Sequence, residues 1–584
     1  MHTERAPKGN CMSDSRRMDG PGGMVLRSWL RAQGFGELSH SRPVIGICSS
    51  WSQLNPCNAG LRAVGAAVAR GVVAAGGLPL VFPTISLGEN FLTPTSMLLR
   101  NLMSMDVEEM IARSPIDGVV LLGGCDKTIP ALLMGAASAG KPAVVVAAGP
   151  RAESRWEGRP LVTDDFWEIA AQRRAGQVTE AQWRKLETCF NTTVGTCNVI
   201  GTATTMALVA EALGVSLPRS ALIPAPDGRR LQSSEAAGMV AVAATKAALT
   251  PAKIITAEAI DNALRVVLGV AGSTNAVLHL AALAGRLGLT FDLEHVAELA
   301  RTTPLVTSVR PTGPNLLSEL EESGGTPAVL RALAPLINRN CLTVTGQTMA
   351  EVIEDAPQPD GTIVRSMEDP IATAGGLRVL HGSLAPGGAV VKIAGGDPAL
   401  RRHSGPAIVF DGASDLQARV HDPNLGATPN SILVMRGAGP VGGPGMPEAG
   451  GIPIPEPLFR LGIRDMVRIS DARMSGTQAG TVILHVAPES AVGGPLALVR
   501  DGDIITVDTE SGTLDLQVDT DVLAERRRAV VAAQKKIQQP GKRRGYESLY
   551  IEHVLQADAG CDFDFLRSAG VPAPTTTTQP NHVY

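Results

Sequence analysis

One strand-to-helix turn constrains this chain more than any other stretch. The run Asp117-Gly-Val-Val-Leu-Leu122 is apolar and reads as a buried strand. Next comes Gly123-Gly-Cys-Asp-Lys-Thr128, and then Ile129-Pro-Ala-Leu-Leu-Met-Gly-Ala-Ala-Ser-Ala139, a helix with proline near its start. Open α/β sheets bind ligands at such turns, at the carboxyl ends of strands. This turn presents a thiol, a carboxylate and an amine in consecutive positions. Sulfur suits iron–sulfur clusters and oxygen suits Mg²⁺, so two metals could lie side by side here. The stretch is not a phosphate-binding P-loop, because Lys127 lacks the upstream Gly-x-x-x-x-Gly spacing. The competing reading is a buried cysteine beside a surface Asp–Lys pair.

The same alternation surrounds the turn. Arg42–Cys48 reads as a first strand, followed by a polar loop through Pro56-Cys57-Asn58. A small-residue helix over Leu61–Ala75 leads to a strand at Leu78–Phe82 and a second polar loop with Gly88-Glu89-Asn90. A helix over Ser96–Ala112 precedes the Cys125 turn, and Ala143–Ala147 is the next strand. Strands alternating with helices imply a doubly wound parallel sheet, with Cys57, Glu89 and Cys125 on one edge. Residues 151–187 hold three of the five Trp and read as a helical insertion. Gly195-Thr-Cys197 is a third cysteine turn, opening a helix through Leu213, and Gly272-Ser-Thr-Asn275 reads as an N-cap.

Near residue 370 the texture changes to short β-rich runs between Gly and Pro, which suggests a barrel or sandwich. The expected organisation is an N-terminal arm over 1–23, an α/β domain over 24–375, a β-rich domain over 376–570 and a Pro- and Thr-rich tail over 571–584. Two polar glycine loops mark the second domain, one ending at Glu448 and one containing Ser475.

At 584 residues the chain exceeds a single core. With a net charge of −4 and no basic stripe, nucleic acid is not expected as a partner. No signal peptide or membrane span is expected. Eight cysteines in so long a chain argue for a reducing, cytoplasmic setting rather than a disulfide framework. Cys48, Cys189, Cys341, Cys11 and Cys561 read as small buried hydrophobes, and His279 as structural. Three turn cysteines and two isolated loop acids permit a cluster with one open iron beside a divalent cation, although the wide spacing alone is a weak signal. Glu89 as a helix cap and Ser475 as a turn serine are the plain alternatives.

Residues 42–566 resemble the dehydratase family that includes dihydroxy-acid dehydratase, 6-phosphogluconate dehydratase and the pentonate and hexonate dehydratases. The resemblance is carried by Pro56-Cys57-Asn58, Gly88-Glu89-Asn90, Gly123–Thr128, Gly195-Thr-Cys197, Gly272–Ala276, Gly445-Met-Pro-Glu448, Asp471-Ala-Arg-Met-Ser-Gly476 and Gly545-Tyr through Asp558. It implies a β-barrel second domain and a homodimer or homotetramer. It also implies a cluster on Cys57, Cys125 and Cys197, Mg²⁺ on Glu89, Asp126, Glu448 and a carbamylated catalytic Lys127, Ser475 as base and Thr477 as a substrate-binding residue. Ala472, Met474 and the insertion with Asp164-Asp-Phe-Trp167 and Glu180-Ala-Gln-Trp183 resemble the pentonate branch. That branch implies a small-molecule sugar-acid substrate and a [2Fe–2S] cluster, with [4Fe–4S] as the alternative. The runner-up is dihydroxy-acid dehydratase of branched-chain amino-acid synthesis.

Overall fold

The computed structural model describes residues 20–36, 42–537 and 544–568. The expected tail, and residues 1–19 of the expected arm, lie outside them. Gly20–Gly23 open helix α1 (Gly20–Ala32).

The first domain is built on a four-stranded parallel sheet of β1 (Val44–Ser49), β2 (Leu78–Pro83), β3 (Gly118–Gly123) and β4 (Ala143–Ala147), in the order β2-β1-β3-β4. β3 and β4 are buried along their whole length, as continuous Val, Leu and Ala runs require when helices cover both faces. The connecting helices are α2 (Leu61–Ala74), α3 (Arg100–Arg113) and α4 (Thr128–Ala139). The strand order reverses between β1 and β3, so the loops after these strands flank the topological switch point. Cys57 lies on one of these loops and Cys125 on the other.

The insertion differs from the expected purely helical segment. It begins with a hairpin, β5 (Ser154–Trp156) and β6 (Arg159–Leu161), before helices α5 (Asp165–Arg174) and α6 (Glu180–Cys189). Its turn is Glu157-Gly158, with φ of 50° and 84° at the two residues. This is the left-handed pair that a tight hairpin demands. Helix α7 (Thr202–Ala212) follows the Cys197 turn, and α8 (Gly228–Lys246) packs on α2. Gly71 and Gly238 make that contact close: a Cβ at Gly71 would lie 1.8 Å from the Glu235 carbonyl oxygen.

The second domain is an eight-stranded, barrel-like sheet. Its strands are β7 (Leu377–Leu380), β8 (Gly388–Lys392), β9 (Arg402–Asp411), β10 (Ile432–Arg436), β11 (Arg468–Ser470), β12 (Val482–Ala487), β13 (Ile504–Asp508) and β14 (Thr513–Gln517). Their order is β14-β13-β9-β10-β11-β12-β8-β7. His381, just past β7, donates from its N–H to Gly512 and accepts from Leu514 N–H, each at 2.8 Å, and so joins the two ends. Alternation along β10 sorts the two faces. Ile432 and Val434 fill the interior, while Leu433 and Met435 pack outward against Leu416 and Val420. The strands β9 to β12 are parallel. The loops leaving the carboxyl ends of β10 and β11 carry Glu448 and Ser475, the same placement rule that operates in the first domain.

Candidate active site

The two sets of loops meet. Lys127, the residue before α4, is fully buried, and its Nζ is ringed by carboxylates. It pairs with Asp126 beside it, with Glu448 Oε1 of the barrel at 2.9 Å and with Glu89 Oε2 at 3.4 Å. Glu89 accepts from Thr95 Oγ1 at 2.8 Å and from Ser96 N at 2.9 Å. It therefore caps the short turn at Ser96 while facing Lys127, so the plain and the functional readings of Glu89 both describe it. Burial alone would raise its carboxyl, but Lys127, Arg473 and the hydroxyls of Ser96 and Thr95 carry it down to about 2. Glu448 goes the other way. Burial, with Glu89 and Asp126 close by, raises it despite Lys127 and Arg473. Burial and Arg473 depress the Lys127 ammonium, but the three carboxylates outweigh them and raise it.

Arg473 and Asn275 complete the junction, and the sequence reading missed both. Fully buried Arg473 donates from Nη1 to Glu448 Oε1 at 3.0 Å, from Nη2 to Thr95 Oγ1 at 3.0 Å and from Nε to the Met446 carbonyl at 2.8 Å. It lies inside the quoted Asp471–Gly476 stretch, which is the only signal that could have found it. Asn275 opens the helix Asn275–Leu287, but its side chain is not a cap. It donates to Thr202 Oγ1 at 3.0 Å, to the Met474 carbonyl at 3.3 Å and to Glu448 Oε1 at 3.4 Å. Thr274, the residue at the cap position, makes no capping hydrogen bond either.

Met474 leads to half-buried Ser475, whose Oγ lies 2.8 Å from Thr477 Oγ1. Trp167 of α5 donates from Nε1 to that same Thr477 oxygen at 2.9 Å. Gly476 lets this barrel loop reach α7, since a Cβ there would stand 2.6 Å from Thr202 N.

The thiols lie beside this junction. Cys125 hydrogen-bonds Cys57, and that bond together with burial pushes the Cys125 thiol well up. Cys197 is pushed up to about 12 by burial, with Cys57 nearby, while Arg151 opposes the rise. Arg151 is held there because its N–H donates to the Thr196 carbonyl at 2.9 Å. Gly124 admits the Cys57 loop, since a Cβ at Gly124 would lie 3.1 Å from the Cys57 carbonyl oxygen. The described cysteines are all free thiols. Cys48 sits in the sheet core and Cys341 and Cys561 are buried, as expected, whereas Cys189, at the end of α6, is only half-buried. Cys11 lies outside the described residues. Buried His279 meets Arg100 Nη1 through Nδ1 at 3.2 Å, as a structural residue would.

Three oxygen donors on one cation, next to three thiols, is a donor set suited to a hard divalent ion beside an iron–sulfur cluster. As the side chains stand, no group of three or more His, Cys, Asp or Glu among the described residues forms a ready metal cage. The Lys127 ammonium holds the point on which the carboxylates converge. A carbamate on Lys127 would turn that cation into a further oxygen donor, so the residues present fit the group. Among the described residues no helix is long and apolar enough to cross a membrane.

Residues 42–352 match the model of the dihydroxy-acid/6-phosphogluconate dehydratase N-terminal domain, and residues 362–561 that of its C-terminal domain. The chain is 46% identical to an L-arabonate dehydratase of Azospirillum brasilense, over 94% of this chain and 96% of the relative. It is 43% identical to a 6-deoxy-6-sulfo-D-gluconate dehydratase of Pseudomonas putida, over 91% and 92% of the two chains. A dihydroxy-acid dehydratase of Acidothermus cellulolyticus is 39% identical over 87% and 92%. With both domains matched and nearly the whole of each relative covered, this chain belongs to the dihydroxy-acid/6-phosphogluconate dehydratase family and is a hydro-lyase.

Proposed function

We propose that the protein removes water from the 2,3-dihydroxy acid of a sugar, a pentonate or hexonate, to give a 2-keto-3-deoxy acid. The observation that carries this reading is the convergence of Glu89, Asp126 and Glu448 on Lys127 from both domains, one asparagine side chain away from the Ser475 loop. The sugar-acid relatives support the substrate class. Glu89, Asp126, Glu448 and a carbamylated Lys127 would hold Mg²⁺, and Cys57, Cys125 and Cys197 a [2Fe–2S] cluster, with [4Fe–4S] as the alternative. When bound, these groups supply charge stabilisation for an enolate and Lewis-acid polarisation of a departing hydroxyl.

The chain's own residues supply the proton transfer. Indole N–H is a donor only, so Thr477 Oγ1 accepts from Trp167, and its own proton is free to be donated to Ser475 in the step that follows. Donation in that direction favours the deprotonated form of Ser475, as a bound divalent cation would. Ser475 Oγ takes the proton from C2. The electron pair left behind forms the C2–C3 double bond as hydroxide leaves C3, and the enol tautomerises to the keto acid. Arg473 holds Glu448 towards Lys127 throughout.

The test is reconstituted protein with Mg²⁺ and a panel of aldonic acids, read by 2-keto acid formation, with 2,3-dihydroxyisovalerate as the competing substrate. Turnover of the branched-chain acid in preference to every aldonate would replace this reading with the branched-chain activity.

A further inference from the structure

Glu448 stands at the end of a glycine-rich loop, and a second buried carboxylate holds the middle of that loop. Glu489 lies just past β12 and is 1% exposed. Its Oε1 accepts from Val441 N–H at 2.8 Å and its Oε2 from Gly442 N–H at 2.8 Å. Gln556 grips it from the other side. Gln556 Nε2 donates to Glu489 Oε1 at 3.0 Å, and Gln556 Oε1 accepts from Glu489 N–H at 2.9 Å. The loop wraps the carboxylate closely, since a Cβ at Gly439 would lie 2.5 Å from Glu489 Oε2. The two ends of the loop have other anchors. Asp471 accepts from Gly437 N–H at 3.2 Å and Ala438 N–H at 3.0 Å, and Arg473 donates to the Met446 carbonyl at 2.8 Å.

Val441, Gly442 and Gln556 Nε2 all donate to the Glu489 carboxylate, and none of these N–H groups can accept a proton from it. A proton on Glu489 would therefore turn charge-assisted hydrogen bonds into neutral ones of about half the strength. Burial, with Asp471 close by, pushes the Glu489 carboxyl up to about 7, although the bonds from Gly442, Val441 and Gln556 oppose the rise. Asp471 is itself raised by burial. Tyr550 and Cys561 also face Glu489, and burial raises both, so neither carries charge near neutral pH.

We propose that Glu489 is a positioning residue for Glu448: its ionised carboxylate holds the Val441–Gly442 turn, and protonating it slackens the loop and weakens the site for a hard divalent cation. The proposal rests on the reading of Glu448 as a metal ligand and adds a pH-sensitive support outside the donor set.

The experiment titrates Mg²⁺ into iron-loaded wild type and Glu489→Gln by calorimetry at pH 8.5 and pH 6. The amide keeps the size of the side chain and lacks its charge, as the protonated acid does. Protonation of the ligands themselves weakens both proteins alike and cancels in the ratio of their dissociation constants. The variant should bind about tenfold more weakly than wild type at pH 8.5 and within about twofold of it at pH 6. Thermal midpoint and iron per chain check folding. Where Glu489→Gln does not fold, Gln556→Met takes its place, and loss of the Gln556 donor should shift upwards the pH at which Mg²⁺ binding weakens. A ratio that is the same at both pH values overturns the inference, as does an unmoved pH dependence in Gln556→Met, and wild-type binding of Mg²⁺ then leaves the metal-site reading intact. Wild type that binds no Mg²⁺ at either pH would remove the metal site itself, and the inference with it.

Discussion

Lys127 Nζ of the α/β domain stands 2.9 Å from Glu448 Oε1 of the barrel, and both side chains are largely or fully shielded from water. The proposed metal site is thus shared between domains, and neither half holds all of its proposed donors. Glu448→Gln keeps an acceptor for Lys127 and Arg473 but removes one negative charge from that set. Half-maximal Mg²⁺ for turnover should rise about tenfold or more, the effect of about 1.4 kcal/mol. A magnesium titration of activity checks this, and an unaltered midpoint excludes Glu448 as a ligand.

Ser475→Ala removes the proposed base and leaves Thr477 and Trp167 in place. A positioned base contributes about 10²–10⁴-fold, so turnover should fall by that factor while iron content and substrate affinity persist. Exchange of the C2 proton with deuterated solvent should stop as well. Near-normal exchange in the alanine variant assigns proton removal to another group.

Much of this site could be read from sequence, because apolar strands followed by glycine-rich polar loops announce strand ends. Cys57, Glu89 and Cys125 were expected on one sheet edge, and they follow β1, β2 and β3. What escaped has physical causes. A capping asparagine and a bridging one look alike in sequence, so Asn275 was read as part of a cap although its side chain spans both domains. Arg473 is invisible as a site residue until its burial is known. Three-residue strands such as β5, β6 and β11 carry no periodicity, and β7 and β14 were likewise missed. Trp167 read only as a marker of one branch, because its bond to Thr477 crosses 310 residues of chain.

Each of Cys57→Ser, Cys125→Ser and Cys197→Ser should lower iron per chain and the visible cluster absorbance of reconstituted protein to near background. Cys48→Ala, in the fully buried core of β1, should keep its iron and lose only about 1 kcal/mol of packing. Iron analysis with a thermal melt separates the two classes. Full iron loading in any of the three serine variants would remove that cysteine from the cluster.

Lys392 gives a prediction outside the chemistry. It ends β8 with 2% of its surface exposed, and its Nζ has no hydrogen-bond partner. Burial pushes its amine from 10.5 down to about 7, although Asp164 draws it back somewhat. Between these two values the unfolded chain holds a proton that the folded chain does not. Stability should therefore rise with pH across that window, by about 1.4 kcal/mol per pH unit for one proton. Below about pH 7 the dependence ends, because the folded state then binds the proton too. Lys392→Met removes the amine and keeps an unbranched apolar side chain. It should raise the thermal midpoint at pH 7.5, where the unfolded lysine gains most from charging, and the gain should shrink at pH 9.5. Melting curves of wild type and variant at the two pH values check the sign. An equal gain at both would mean that Lys392 keeps its ordinary affinity for the proton when folded.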